Sequence, residues 1–207
     1  MRRNYWESIV AARAPGPGDD AVQAAMRRRR RRDFLPKHQR KFAGYNRPIH
    51  IGYDQTNSQP STVADMLWLL DVHPGHKVLD IGAGSGWTTA ILGDLVTKTG
   101  SVLGLEIIPE LANTAAAALE QHNLPWCRIE TATHGVLGAP SEAPFDRILV
   151  SAEAAHLPHA LVEQLTDDGI MVITVAGYML RVVRHGPDPN DAEITLHGAY
   201  RFVDLMT

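Results

Sequence analysis

The chain has 207 residues, 44% apolar and 21% charged, the balance of an ordinary globular protein with room for one large domain rather than two. A net charge of −3 gives no global pull toward nucleic acid or an anionic membrane, and no apolar run reaches the ~18 residues that a membrane-spanning helix needs. The single cysteine, Cys127, can form no internal disulfide and reads as a small buried apolar residue; with no apolar signal core in MRRNYWESIV, the expected location is the cytoplasm.

Residues 1–13 are predicted to form a short helix carrying Tyr5, Trp6, Ile9 and Val10 on one side, stopped by the Pro/Gly run of residues 14–18. A second helix is expected from Asp19 or Asp20 through Arg32. It ends in six consecutive arginines, Arg27 to Arg32. These read either as a patch for nucleic acid or an acidic partner, or as a solvated helix end whose cations suit the negative pole of the helix dipole. Composition therefore separates an arginine-rich helical extension, residues 1–32, from a main domain, residues 33–207.

An apolar helix is predicted over Val63–Leu70, with Pro60 at its start. From Lys77 the pattern becomes regular. Strands are expected at Lys77–Ile81, Ser101–Ile107, Trp126–Glu130, Asp146–Ser151 and Ile170–Val175. Helices are expected at Trp87–Val96, from Pro109 to about Gln121, and at Pro158–Leu165. Alternating strands and helices imply an α/β fold with a doubly wound, mostly parallel, Rossmann-like sheet. Leu180–Arg184 and Ile194–Val203 alternate in polarity around a turn-rich stretch and predict an antiparallel C-terminal hairpin at the sheet edge.

The strongest local signal is VLDIGAGSGW, residues 78–87. An apolar strand runs into a turn with Gly82, Gly84 and Gly86 at alternate positions, then into a helix. Without side chains there, a ligand can approach the backbone closely. A dinucleotide fingerprint needs its third glycine one residue later, where this chain has Trp87. Glu106 ends the next strand and is either a ribose-hydroxyl acceptor or a surface glutamate. Asp80 either faces a ligand's ammonium group or pairs with backbone N–H groups to shape the turn.

Upstream lies RPIHIGYDQTNSQP, residues 47–60. Thr56 and Ser58 place hydroxyls beside a helix N-terminus, which makes either an anion site for carboxylate or phosphate or a simple capping turn. The histidines, including His50, His73, His76 and His156, have no metal-ligand spacing with supporting carboxylates, so no metal is expected.

Taken together, RPIHIGYDQTNSQP, VLDIGAGSG, LEIIPEL, APFDRILVSA and LVEQLTDDGIMVITV, in that order, resemble the protein-L-isoaspartate O-methyltransferases. Phe34-Leu35-Pro36 resembles that family's F-V-P, and the likeness spans roughly residues 33–205. The resemblance implies a class I methyltransferase fold with S-adenosylmethionine as cofactor. The methyl group would pass to the α-carboxylate of an L-isoaspartyl residue in a damaged polypeptide, and the ester would collapse to a succinimide that reopens partly to aspartate. It also implies Ser58 as the active-site residue, with Gln55 and Thr56 beside it and Val150, Ser151 and Ala152 bordering the acceptor. Asp80, Gly82, Gly84, Gly86 and Glu106 would hold the cofactor.

Three positions depart from the family pattern: Asn57 replaces an isoleucine, Ser151 replaces a threonine, and His134 stands where a family aspartate holds the adenine amine. A neutral imidazole can still accept one hydrogen bond there. The expected partner is a polypeptide and not nucleic acid, and a monomer is expected. Two other readings remain: an aspartate O-methyltransferase dedicated to one ribosomal peptide, and a catalytically silent module that only binds the cofactor.

Overall fold

A computed structural model describes residues 19–186, 188 and 191–206, so the helix predicted over residues 1–13 lies outside the described residues. Among the described residues the α-helices are α1 Asp19–Arg28, α2 Pro60–Leu70, α3 Trp87–Val96, α4 Pro109–Glu120 and the single turn α5 His159–Val162. A two-stranded hairpin, β1 Ile49–Gly52 with β2 Gln55–Asn57, precedes the main sheet. Tyr53 and Asp54 both take positive φ, 54° and 57°, as a tight two-residue hairpin turn requires.

The main sheet contains β3 Lys77–Ile81, β4 Ser101–Glu106, β5 Cys127–Thr131, β6 Phe145–Ala154, β7 Leu165–Val175, β8 Tyr178–Arg184 and β9 Ala192–Ala199. Its order is β5-β4-β3-β6-β7-β8-β9. The first five strands are mutually parallel, whereas β8 and β9 extend the sheet antiparallel. After β3 the chain builds outward on one side, then returns to place β6 on the other. The carboxyl ends of β3, β4 and β6 therefore flank a topological switch point, where open α/β sheets bind ligands.

Parallel strands buried on both faces need apolar residues at consecutive positions. Val78 and Leu149 face a core shared with all four long helices, while Leu79 and Ile148 face the opposite core with Leu161 and Val162 of α5. Helix α1 contributes Val22, Ala25 and Met26 to the larger core, so the composition boundary at residue 32 runs between elements that share one apolar interior.

Several expected elements differ in extent: β7 starts at Leu165 rather than Ile170, β6 runs on to Ala154, and β8 starts at Tyr178. Helix α1 stops at Arg28, and Arg31–Phe34 forms a 3-10 turn instead. Helix α5 keeps one turn of the predicted Pro158–Leu165, because Gln164 is buried and its side chain bonds Ala139 N–H and the carbonyls of Leu137 and Ala160. Strand β9 ends at Ala199 rather than Val203: Tyr200 N–H bonds the Gly177 carbonyl at 2.9 Å and its hydroxyl donates to Asp65 Oδ2 at 2.9 Å, turning the chain off the edge.

The arginine run is a solvated helix end only in part: Arg27, Arg28, Arg30 and Arg32 are exposed, whereas Arg29 and Arg31 turn inward. Arg29 makes an ion pair with Asp94 at 2.5 Å and Trp87 Nε1 donates to the Arg29 carbonyl at 2.6 Å. Arg31 is 5% exposed. Fixed acceptors satisfy these two cations where they leave solvent.

Candidate active site

Turn and strand ends come together at the switch point in one cleft. Its walls include Gly82, Gly84 and Ser85 of the glycine loop, Glu106 at the end of β4 and Ile107 after it, and Ser151 and Ala152 of β6. Gln55, Thr56 and Asn57 of the hairpin, with the following Ser58, form another wall. Val203, Asp204, Leu205 and Met206 close a further side.

The glycine loop has the backbone that its sequence demands. Gly82, Gly84 and Gly86 take φ of 76°, 55° and 83°, a region that side-chain-bearing residues avoid. A Cβ on Gly86 would lie 2.9 Å from Ile129 Cδ1 and 3.2 Å from the Ala115 carbonyl, so this glycine lets α3, α4 and β5 close up. Gly82 backs onto Ser151 and Gly84 onto Ile51, which brings the loop against both β6 and the hairpin.

Glu106 is 5% exposed, and its two carboxylate oxygens accept from Gly84 N–H at 2.8 Å and Ile108 N–H at 3.0 Å. The acid thus shapes the loop as well as bordering the cleft. Asp80 sits behind the loop, fully buried, with Oδ2 accepting from the Thr89 hydroxyl at 2.7 Å. Its second oxygen, Oδ1, has no hydrogen-bond partner among the described residues. Burial pushes the Asp80 carboxyl up to about 7; the Thr89 hydrogen bond opposes this, and the nearby Glu106 charge adds to it. Gly104 makes the Thr89 contact possible, since a Cβ there would stand 2.9 Å from Thr89 Oγ1.

Ser58 immediately precedes Gln59 and the eleven-residue helix α2, with Pro60 in its first turn. The hydroxyl therefore sits where a helix N-terminus favours an anion. Asn57, which breaks the family pattern, is 5% exposed and hydrogen-bonded on both ends of its amide.

Of the residues singled out in the sequence, Gln55, Thr56, Ser58, Gly82, Gly84, Glu106, Ser151 and Ala152 line the cleft. Asp80, Gly86 and Val150 are buried behind that lining. His134 does not reach it: the residue is exposed on a turn closed by Val136 N–H to the Thr133 carbonyl, two positions beyond the lining residue Ala132. The sequence reading missed Ser85, Thr88, Ile107, Ala132 and the Val203–Met206 segment. Ser85 and Ile107 were signalled by adjacency to the glycine loop and Glu106. Nothing local signals the C-terminal segment, which is placed by Glu153 N–H to the Val203 carbonyl (2.7 Å) and Leu205 N–H to the Glu153 carbonyl (2.8 Å).

The donor set fits an amino-acid nucleoside. Asp80 offers a carboxylate oxygen with no hydrogen-bond partner among the described residues, the loop leaves space for close backbone approach, and Glu106 stands one strand away. Among the described residues no group of His, Cys, Asp and Glu could hold a metal ion, and no helix is long and apolar enough to cross a membrane.

The family model described as Protein-L-isoaspartate(D-aspartate) O-methyltransferase matches residues 9–206. A Methanosarcina mazei protein-L-isoaspartate O-methyltransferase is 40% identical over 80% of this chain and 68% of its own length. Its counterpart 1 from Nitrosospira multiformis is 38% identical over 99% of this chain and 86% of its own. Among solved structures, a Plasmodium falciparum protein of that name in complex with S-adenosyl-L-homocysteine aligns with TM-score 0.81 at 22% identity, covering 97% of this chain and 93% of that one. A second protein-L-isoaspartate O-methyltransferase aligns with TM-score 0.84 at 19% identity, over all of this chain and 66% of the other, so these two likenesses speak to the fold. With the family model spanning nearly the whole sequence and the glycine loop, acid and hydroxyl turn gathered at one switch point, this chain belongs to the protein-L-isoaspartate (D-aspartate) O-methyltransferase family.

Proposed function

We propose that this chain transfers the methyl group of S-adenosylmethionine to the α-carboxylate of L-isoaspartyl residues in damaged proteins or peptides. The observation that carries the reading is the meeting of the hydroxyl turn Thr56–Ser58 with the Gly82–Gly86 loop in one cleft, in a chain of this family.

When bound, the cofactor supplies an electrophilic methyl group on a sulfonium, with a neutral thioether as leaving group. The protein's part is placement. A free carboxylate has a pKa of ~4 and is already a competent nucleophile at neutral pH, so no strong base is needed. Ser58 orients that carboxylate by hydrogen bonding at the amino end of α2. Gly82 and Gly84 allow close approach of the amino-acid half, and Asp80 Oδ1 is the acceptor for its ammonium group, directly or through water. Glu106 receives the ribose hydroxyls, and Ile107 and Ala132 flank the base. Holding the reacting atoms in line can supply up to ~7–11 kcal/mol of the barrier.

The polypeptide acceptor enters along the hairpin and the Ser151–Ala152 end of β6. A methyl-transfer assay comparing an isoaspartyl peptide with its normal aspartyl twin tests the reading. Turnover restricted to the isoaspartyl peptide is expected. Equal labelling of the twins would remove the isoaspartyl specificity, and labelling of neither would remove the reaction.

A further inference from the structure

Arg31 is the most heavily used side chain near the cleft. Nε donates to Asn57 Oδ1 at 2.5 Å and Nη1 to the Tyr45 carbonyl at 2.9 Å. Nη2 reaches the carbonyls of Arg47 and Asn57, both at 2.9 Å, and of Ser58 at 2.8 Å. Guanidinium has donors only, so the contact with Nε compels Asn57 to present its carbonyl oxygen to Arg31. The Asn57 amide nitrogen must then face the other way, and it donates to Ser85 Oγ at 2.9 Å.

The polarity of this chain is fixed from end to end. Arg31 only donates, Asn57 accepts on one atom and donates from the other, and Ser85 accepts. The Ser85 hydroxyl hydrogen is not spent on that bond, and a hydroxyl rotates to suit its surroundings. Ser85 lines the cleft between two glycines, and Ser58 lines it as well. A buried cation thereby biases a cleft-facing hydroxyl toward donation. An anion there would receive a hydrogen bond from a group whose lone pair is already engaged, an arrangement in which successive bonds polarise one another.

We propose that Ser85 binds a carboxylate in the cleft and that Arg31, acting through Asn57, is its positioning residue. This assignment rests on the methyltransferase reading. Two carboxylates share the required chemistry there: that of the cofactor's amino-acid half and that of the isoaspartyl acceptor. The Asn57 position explains why the apolar residue of the family pattern is replaced: an isoleucine could neither satisfy Arg31 Nε nor orient Ser85.

Three variants separate this role from simple loop support. Asn57→Leu removes both contacts. Asn57→Asp keeps both, because the carboxylate pairs with Arg31 and accepts from Ser85, but it turns the serine hydroxyl inward. Ser85→Ala removes the terminal donor and also takes the acceptor from the buried Asn57 amide nitrogen, so it is read beside Asn57→Asp, which keeps both contacts. Each is measured by calorimetry with S-adenosylhomocysteine and with methylthioadenosine, which lacks the amino-acid carboxylate, and by KM for an isoaspartyl peptide.

Asn57→Asp and Ser85→Ala are each expected to weaken carboxylate binding ~5–10-fold, the scale of one lost hydrogen bond. If the cofactor's carboxylate is the ligand, S-adenosylhomocysteine weakens and methylthioadenosine does not. If the acceptor's is the ligand, both nucleosides keep their affinities and peptide KM rises. Loop support alone predicts that Asn57→Asp behaves as wild type while Asn57→Leu fails, and that result overturns the assignment. Equal behaviour of wild type and Ser85→Ala in all three measurements overturns it as well. A wild-type chain that binds neither nucleoside overturns the methyltransferase reading and this assignment with it.

Discussion

At the scale of single residues, Glu106 and Asp80 show how one site uses two acids differently. Glu106 holds Gly84 and Ile108 N–H groups and borders the cleft, so Glu106→Ala should both loosen the loop and weaken S-adenosylhomocysteine binding by ~1–3 kcal/mol. Calorimetry checks the affinity, and an unchanged value would leave Glu106 as loop support only. Asp80 is held up to about 7 by burial, against an unfolded carboxyl near ~3.9. Between those values the folded chain keeps a proton that the unfolded chain has lost. Stability from this group is therefore fully present below pH ~4, falls as pH rises, and levels off above pH ~7, a loss of up to ~4 kcal/mol. Asp80→Asn keeps an acceptor for Thr89 and carries no charge. Its denaturation midpoint should change less between pH 5 and pH 8 than that of wild type, and parallel profiles would contradict the burial effect.

Ser58 belongs to the same scale and is tested differently. A hydroxyl that orients a carboxylate without binding the nucleoside predicts that Ser58→Ala lowers turnover ~10-fold or more, by the loss of a charge-assisted hydrogen bond, with S-adenosylhomocysteine affinity nearly intact. Steady-state kinetics beside calorimetry separates the two, and unchanged turnover removes the role.

At the scale of elements, periodicity and punctuation carried most of the fold. The inner strands of the parallel sheet were legible as apolar runs because both of their faces are buried, whereas the edge strand β5 alternates, and Pro60 and Pro109 marked helix starts through their fixed φ. The glycine loop was legible because its backbone leaves the sequence no alternative. What escaped was set by partners distant in the chain. The arginine run looked like one surface feature, yet Arg29 and Arg31 are drawn inward by Asp94 and by the hairpin carbonyls, contacts 65 and 26 residues away. The short α5 likewise follows from the side chain of Gln164 reaching Ala139, 25 residues back. The Arg29–Asp94 pair gives this scale its prediction. Both side chains are nearly buried, at 12% and 7% exposure, so Asp94→Ala strands a cation against the core and should cost ~3 kcal/mol of folding stability. Urea denaturation measures it, and a cost below ~0.5 kcal/mol would place the pair with exposed surface bridges.

At the scale of the whole molecule, the site is assembled from the two ends of the described chain as much as from its centre. Arg31 holds the hairpin and the turn after it from the amino-terminal side, and Val203–Met206 returns from the edge of the sheet to close the cleft beside Ser151 and Ala152. This return is held by the two backbone bonds at Glu153 and by a contact of Phe202 N–H with Glu153 Oε2 at 3.3 Å, while Leu205 packs onto the second core. None of these bonds involves the glycine loop or Glu106, where the cofactor is proposed to sit. Removing residues 203–207 should therefore raise KM for an isoaspartyl peptide ~10-fold or more while leaving S-adenosylhomocysteine affinity within ~3-fold, the pattern of a lost acceptor wall rather than a lost cofactor site. A truncated chain that keeps its peptide KM would show that the segment covers the second core without touching the acceptor. One that loses both affinities together would show that the return stabilises the switch point as a whole, because the strand end carrying Ser151 could no longer hold its position against Gly82.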